Sequence, residues 1–121
     1  MIKTVLVVDD SPSIRQLVIF TLRQAGFQTI EAVDGVDALA RLTTNRVNLI
    51  LTDLNMPRMD GIGLIREVRK QPATRTLPVL MLTTESQESK RQEGRAAGAT
   101  GWLVKPFQPE KLIQVIGRVL P

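Results

Sequence analysis

VLVVDDSPS, Val5 to Ser13, sets two aspartates directly behind a run of four aliphatic residues. An apolar run without alternation reads as a strand covered on both faces, the mark of a parallel sheet between helix layers. Ser11 followed by Pro12 reads as a helix start, with serine as N-cap and proline at the first helical position. The stretch is a strand-to-helix corner. One polar side chain, that of Ser11, satisfies the cap, and Asp9 and Asp10 are left over. Adjacent carboxylates repel by ~4 kcal/mol at about 4 Å for an effective dielectric of about 20, an upper figure for a surface site. A positive charge has to offset that.

The same corner recurs along the chain. Short apolar runs fall at Thr4–Val8, Thr29–Ala32, Leu49–Thr52, Pro78–Thr83 and Trp102–Val104. The second, within FQTIEAVD, is the most polar, as an edge strand would be. Between the runs, Ile14, Leu17, Val18, Thr21, Leu22 and Ala25 share one helical face that Gly26 ends. Gly35–Thr44 carries Ala38, Leu39 and Leu42, and Gly61–Lys70 carries Leu64, Ile65 and Val68. Leu112, Ile113, Val115, Ile116 and Val119 repeat the pattern after Pro109. Gln87–Gly98 differs, being rich in charge with only alanines as apolar residues, so its attachment to the core is expected to be thin. Alternating strands and helices imply an α/β three-layer sandwich, a five-stranded parallel sheet with five helices joined by right-handed crossovers.

With 121 residues and 43% hydrophobic content, the chain is expected to form one domain with a full core. It has no cysteine and no histidine, which excludes disulfides, thiol nucleophiles, thiolate or imidazole zinc sites and a histidine general base. Carboxylates, lysine, hydroxyls, backbone and a hard cation remain. No run approaches a membrane span and MIKTVLVVDD lacks a cleavable signal pattern, so a cytoplasmic protein without membrane insertion is expected. The net charge of +4 comes from scattered basic residues with few aromatics between them. Solvated helix faces explain it better than a nucleic-acid surface.

In sheets of this kind sites form beyond the carboxyl ends of the strands. Asp9 and Asp10 follow the first strand, Asp53 ends the third, Thr83 and Thr84 close the fourth and Lys105 follows the fifth. Each alone has a plain structural reading as a cap, a turn, a strand threonine or a snorkelling lysine. Together they form one cluster. Three carboxylates with room for water suit Mg²⁺. A carboxylate kept ionised by metal and lysine can act as a nucleophile toward phosphorus, with both cations neutralising the phosphoryl oxygens.

VDD, LTDLNMPRMDG, MLTTE and GWLVKPF occur in an order and spacing that closely resemble a response-regulator receiver domain, of the stand-alone chemotaxis type (CheY-like). The resemblance covers nearly the whole chain. It implies the flavodoxin-like strand order 2-1-3-4-5 and a single receiver domain over residues 1–121 with no output domain. It makes Asp53 the phosphoacceptor, with Asp10 binding Mg²⁺ directly, Asp9 through water and Asn55 through its backbone carbonyl. Lys105 would pair with the aspartyl phosphate and Thr83 would hydrogen-bond a phosphoryl oxygen. The switch aromatic, usually tyrosine or phenylalanine, falls on Trp102. Pro57 and Gly61 shape the loop after Asp53, the bond before Pro106 is expected to be cis, and Glu85 and Asn55 are expected to tune phosphate lifetime.

The partners so implied are a chemotaxis-type sensor histidine kinase, a protein target such as the flagellar motor switch, and a phosphatase, with the chain acting as a monomer. A twitching-motility regulator and a phosphate sink remain alternatives for the output. A Mg²⁺-dependent aspartyl phosphatase would carry D-x-D-x-[TV] after the first strand and usually a cap domain. A flavin module would want a hydroxyl- and glycine-rich loop where this chain has two acids. No P-loop pattern occurs.

Overall fold

The computed structural model describes residues 2–84 and 88–120. Strands β1 (Thr4–Val8), β2 (Gln28–Ala32), β3 (Leu49–Asp53), β4 (Val79–Thr83) and β5 (Gly101–Val104) form one parallel sheet in the order β2-β1-β3-β4-β5. Helices α1 (Pro12–Gln24), α2 (Gly35–Thr44), α3 (Gly61–Lys70), α4 (Glu88–Ala97) and α5 (Pro109–Val119) connect them. The expected topology holds. Strand ends differ by a residue: β2 begins at Gln28, β4 at Val79 and β5 at Gly101, and β3 runs on to include Asp53. These ends follow the pairing, in which Gln28 faces Thr4, Gly101 faces Leu80 and Asp53 faces Leu82.

The strand pleat sorts the core into two layers. Val5, Val7, Leu49, Leu51, Leu80 and Leu82 face α1 and α5, meeting Val18, Leu22, Leu112 and Ile116. Leu6, Val8, Ile50, Val79 and Met81 face the other way, toward Ala38 of α2 and Ile62, Leu64, Ile65 and Val68 of α3. Every residue of β3 and β4 is buried, whereas β2 buries only Ala32 and occupies an edge, as its polarity implied.

Three of the helix starts are capped by a local side chain. The Ser11 hydroxyl accepts from the Ile14 N–H at 3.4 Å, Asp34 from the Asp37 N–H at 2.9 Å, and Asp60 from the Gly63 N–H at 2.8 Å. Such caps contribute ~1 kcal/mol each. Helix α4 is the exception in its packing. Only Gly94 is buried, and a Cβ there would lie 2.3 Å from Met81 Cε, so the helix rests on the sheet through a bare backbone. Burying a Leu, Ile or Val side chain stabilises by roughly 1.5–3 kcal/mol. Helix α3 has four such residues, and α4 has none. The thin attachment expected of Gln87–Gly98 is observed over Glu88–Ala97, and Gln87 lies outside the described residues.

Candidate functional site

Strand register brings the chemistry to one level. Val8 lies beside Thr52, Asp53 beside Leu82, and Thr83 beside Val104, so Asp9, Asp53, Thr83 and Lys105 emerge along one sheet edge. The Lys105 N–H donates to the Thr83 carbonyl at 2.6 Å, which carries the β4–β5 pairing to the lysine. The Lys105–Pro106 bond is cis. Lys105 Nζ reaches back to Asp53 Oδ1 at 2.8 Å and lies 3.8 Å from Asp9 Oδ2.

The two leading aspartates are not equivalent. Asp9 is only 2% exposed, and its Oδ1 accepts from the Ser11 N–H at 2.9 Å. Its Oδ2 is buried with no hydrogen-bond partner among the described residues. Asp10 is exposed and makes no hydrogen bond or ion pair among them. One oxygen from each of Asp9, Asp10 and Asp53 lies within 4.8 Å of the others. Thr83 is 1% exposed, and its hydroxyl is likewise buried without a partner among the described residues. An all-oxygen cluster with an orphaned buried carboxylate oxygen fits a hard cation such as Mg²⁺.

Burial pushes the Asp9 carboxyl above its ordinary value of 3.8. The Ser11 N–H opposes the rise, the Asp53 charge adds to it, the Lys105 ammonium opposes it, and the Asp10 charge adds again. A carboxyl whose folded pKa is raised stabilises the protein below its unfolded value, and that contribution is lost as pH rises through the folded value. Asp9→Asn keeps the acceptor for Ser11 and removes the charge. At neutral pH and without metal, the variant is expected to resist urea better than wild type. The gain should shrink toward zero as pH falls below about 4. A gain equal at both pH values would contradict a raised Asp9.

Asn55 is exposed in the loop that follows Asp53. That loop closes where the Gly61 N–H donates to the Leu54 carbonyl at 2.9 Å. A Cβ on Gly61 would sit 2.6 Å from the Asp53 carbonyl oxygen, so only glycine lets α3 begin this close to the strand. Trp102 lies on the α4 side of β5, half-buried against the core layer below. Two guanidiniums of α4 cover its ring, Arg91 at 4.5 Å and Arg95 at 4.7 Å from the centroid. Glu85 lies outside the described residues.

Three features had no signal in the residue pattern. Arg91 and Arg95 over Trp102 read as solvated charges in a helix. Arg69 donates to the carbonyls of Gly98, Leu77 and Arg75 at 2.7–3.1 Å, clipping α3 to the loop before β4 and to the end of α4. Arg58 pairs with Asp34 across two loops, at 2.7 Å from Nε to Oδ2 and 3.0 Å from Nη2 to Oδ1.

The family model for the response regulator receiver domain matches residues 5–117. The chain is 50% identical to the chemotaxis response regulator CheY4 of Vibrio cholerae, with a TM-score of 0.93 over 98% of this chain and 99% of that one. It is 28% identical to the receiver domain of the sensor histidine kinase PA1611 of Pseudomonas aeruginosa, whose structure has a magnesium ion coordinated in the active-site cleft. There the TM-score is 0.91 over 99% of this chain and 98% of that one. Among curated relatives, the phosphate regulon transcriptional regulatory protein PhoB of Escherichia coli is 38% identical over 120 residues, 99% of this chain. The chain spans about half the length of that relative, 52% of it. With the acid cluster, the lysine and the sheet order in place, the chain belongs to the response regulator receiver domain family, the phosphorylation-activated receivers of two-component systems.

Proposed function

We propose that the chain is a switch in which Asp53 takes a phosphoryl group from a sensor histidine kinase and the altered surface then binds a protein target in chemotaxis or motility. The observation that carries the reading is the Lys105 ammonium 2.8 Å from Asp53 Oδ1, beside two more carboxylates. Asp10, Asp9 through water, Asp53 and the Asn55 carbonyl would hold Mg²⁺. When bound, the ion supplies neutralisation of charge on the phosphoryl oxygens. Lys105 fixes one Asp53 oxygen, which leaves the other to attack phosphorus. A new O–P bond forms, the donor's bond to phosphorus breaks, and the donor leaves with the electron pair. The Thr83 hydroxyl, without a partner in the described residues, then donates to a phosphoryl oxygen.

The chemotaxis assignment rests on the 50% identity to the Vibrio cholerae regulator, and a flagellar motor switch is the target we favour. Among the described residues no helix is long and apolar enough to cross a membrane, and a cytoplasmic site of action agrees with a kinase donor. Phosphotransfer profiling against the host's histidine kinases, followed by capture of targets on the phosphorylated form, tests donor and output together. Rapid transfer from one kinase with no captured target would favour a phosphate sink. Turnover of small phosphate esters would instead mark an aspartyl phosphatase.

Ligand roles divide by mutation. Asp9 Oδ1 is committed to Ser11, whereas both oxygens of Asp10 are free among the described residues. Asp9→Ala is expected to weaken Mg²⁺ binding about tenfold, the low end for a group acting through another ligand. Asp10→Ala should cost more. Equal losses by titration calorimetry would place both aspartates at the same distance from the ion.

A further inference from the structure

Arg58 is the only described residue other than glycine with positive φ, at 65°. The Met59 N–H donates to the Pro57 carbonyl at 2.7 Å, which makes a three-residue γ-turn centred on Arg58, a strained form for a residue with a side chain. Something must hold it. The guanidinium makes a two-pronged pair with the Asp34 carboxylate, which is 3% exposed and also caps α2. Alongside, the Gly35 N–H donates to the Met59 carbonyl at 3.1 Å, and a Cβ on Gly35 would collide with Met59. The loop after Asp53 therefore has two anchors. Its base is tied at Leu54, where the N–H reaches the Leu82 carbonyl and the carbonyl accepts from Gly61. Its tip is tied to the start of α2 by Arg58 and Met59.

Asn55 lies between these anchors. Asp53 does not depend on the tip, because it is the last residue of β3 and is held by Lys105. We infer that Arg58 is a positioning residue for the metal: its pair with Asp34 sets the loop so that the Asn55 carbonyl faces the carboxylate cluster, and thereby sets Mg²⁺ affinity. The inference rests on the reading that Mg²⁺ binds at this cluster. A planar two-pronged fork fixes the turn in direction as well as distance, which a lysine ammonium does not.

Charge and positioning predict opposite signs. Removing a cation beside an acidic cluster should tighten binding of another cation if only charge matters. Loss of positioning should weaken it. Calorimetric titration of the metal-free protein with MgCl₂ distinguishes the two, with circular dichroism melts confirming that each variant is folded. Arg58→Ala is expected to bind Mg²⁺ about tenfold more weakly than wild type, the low end for a partner that orients a metal ligand. Arg58→Lys should recover only part of the loss.

Arg58→Ala combined with Asp34→Asn leaves the local charge unchanged, and asparagine still caps α2. Charge alone predicts wild-type affinity for this double variant, whereas positioning predicts the same weakening as Arg58→Ala and no further loss. With acetyl phosphate as donor, Arg58→Ala should raise the half-saturating Mg²⁺ concentration and leave the rate at saturation within about twofold, since Asp53 and Lys105 are untouched. Unchanged or tighter Mg²⁺ binding by folded Arg58→Ala overturns the inference. Absence of Mg²⁺ binding by wild type overturns instead the metal reading on which it rests.

Discussion

Asp53→Asn is expected to abolish acid-labile labelling by acetyl phosphate in the presence of Mg²⁺ and to leave the fold intact. The argument is local. The substituted amide keeps the shape of the side chain and an oxygen to accept from Lys105 Nζ, now 2.8 Å from Asp53 Oδ1. It has no carboxylate with which to form an acyl phosphate. Neither neighbour is placed to replace it. Asp9 is buried with one oxygen committed to Ser11, and Asp10, though exposed, lacks the lysine contact that Asp53 has. A hydroxyl at Thr83 could form only an acid-stable ester. The metal-free variant should melt no lower than wild type, because one negative charge leaves a crowded acidic cluster. Mg²⁺ should raise the melting temperature of wild type by preferential binding to the folded state, roughly 2.7 kcal/mol at a hundredfold excess over Kd. Undiminished labelling of Asp53→Asn would remove Asp53 as the phosphoacceptor.

The sheet was legible because its central strands are buried on both faces. Residues 5–8, 49–51 and 79–82 are apolar without interruption. The edge strands were less distinct at their ends, since Gln28 and Gly101 join the sheet through backbone pairing that side chains do not announce. The carboxylate cluster with Thr83 and Lys105 followed from the strands, as each of these candidate site residues lies at or one to two residues beyond a carboxyl end, whereas Trp102 lies within β5. Arginine contacts were not legible. Arg58 meets Asp34 from 24 positions away, and its positive φ is a property of a closed loop. In sequence Gln87–Gly98 showed only alanines and charge. Its anchors are backbone at Gly94 resting on Met81, and two guanidiniums over an indole, a use of arginine that hydrophobic periodicity does not register.

Those anchors determine what phosphorylation should do to the chain's single tryptophan. Met81 and Thr83 lie on the same face of β4, Trp102 is the register partner of Met81, and Gly94 of α4 sits over the Met81 side chain. A phosphoryl group on Asp53 offers the Thr83 hydroxyl a charge-assisted hydrogen bond in place of none among the described residues. Movement of Thr83 toward it vacates space beside β5, into which the indole can turn. Opposing the turn are two cation–π contacts worth about 0.5–1 kcal/mol each at exposed sites, and an α4 that buries no apolar side chain. Terms of this size leave the inward state a minor population that phosphorylation can make dominant with a few kcal/mol. Beryllofluoride with Mg²⁺ is therefore expected to shift Trp102 emission to the blue or change its intensity, as the ring leaves Arg91 and Arg95 for a drier setting. Thr83→Ala should blunt the change without blocking phosphorylation, because the nucleophile and the lysine remain. Arg91→Ala with Arg95→Ala should shift emission of the unphosphorylated protein part of the way, since the inward state then has less to overcome. If emission and Trp102 mobility are identical with and without the phosphoryl mimic, the indole is not the switch, and the signal leaves through the backbone of α4.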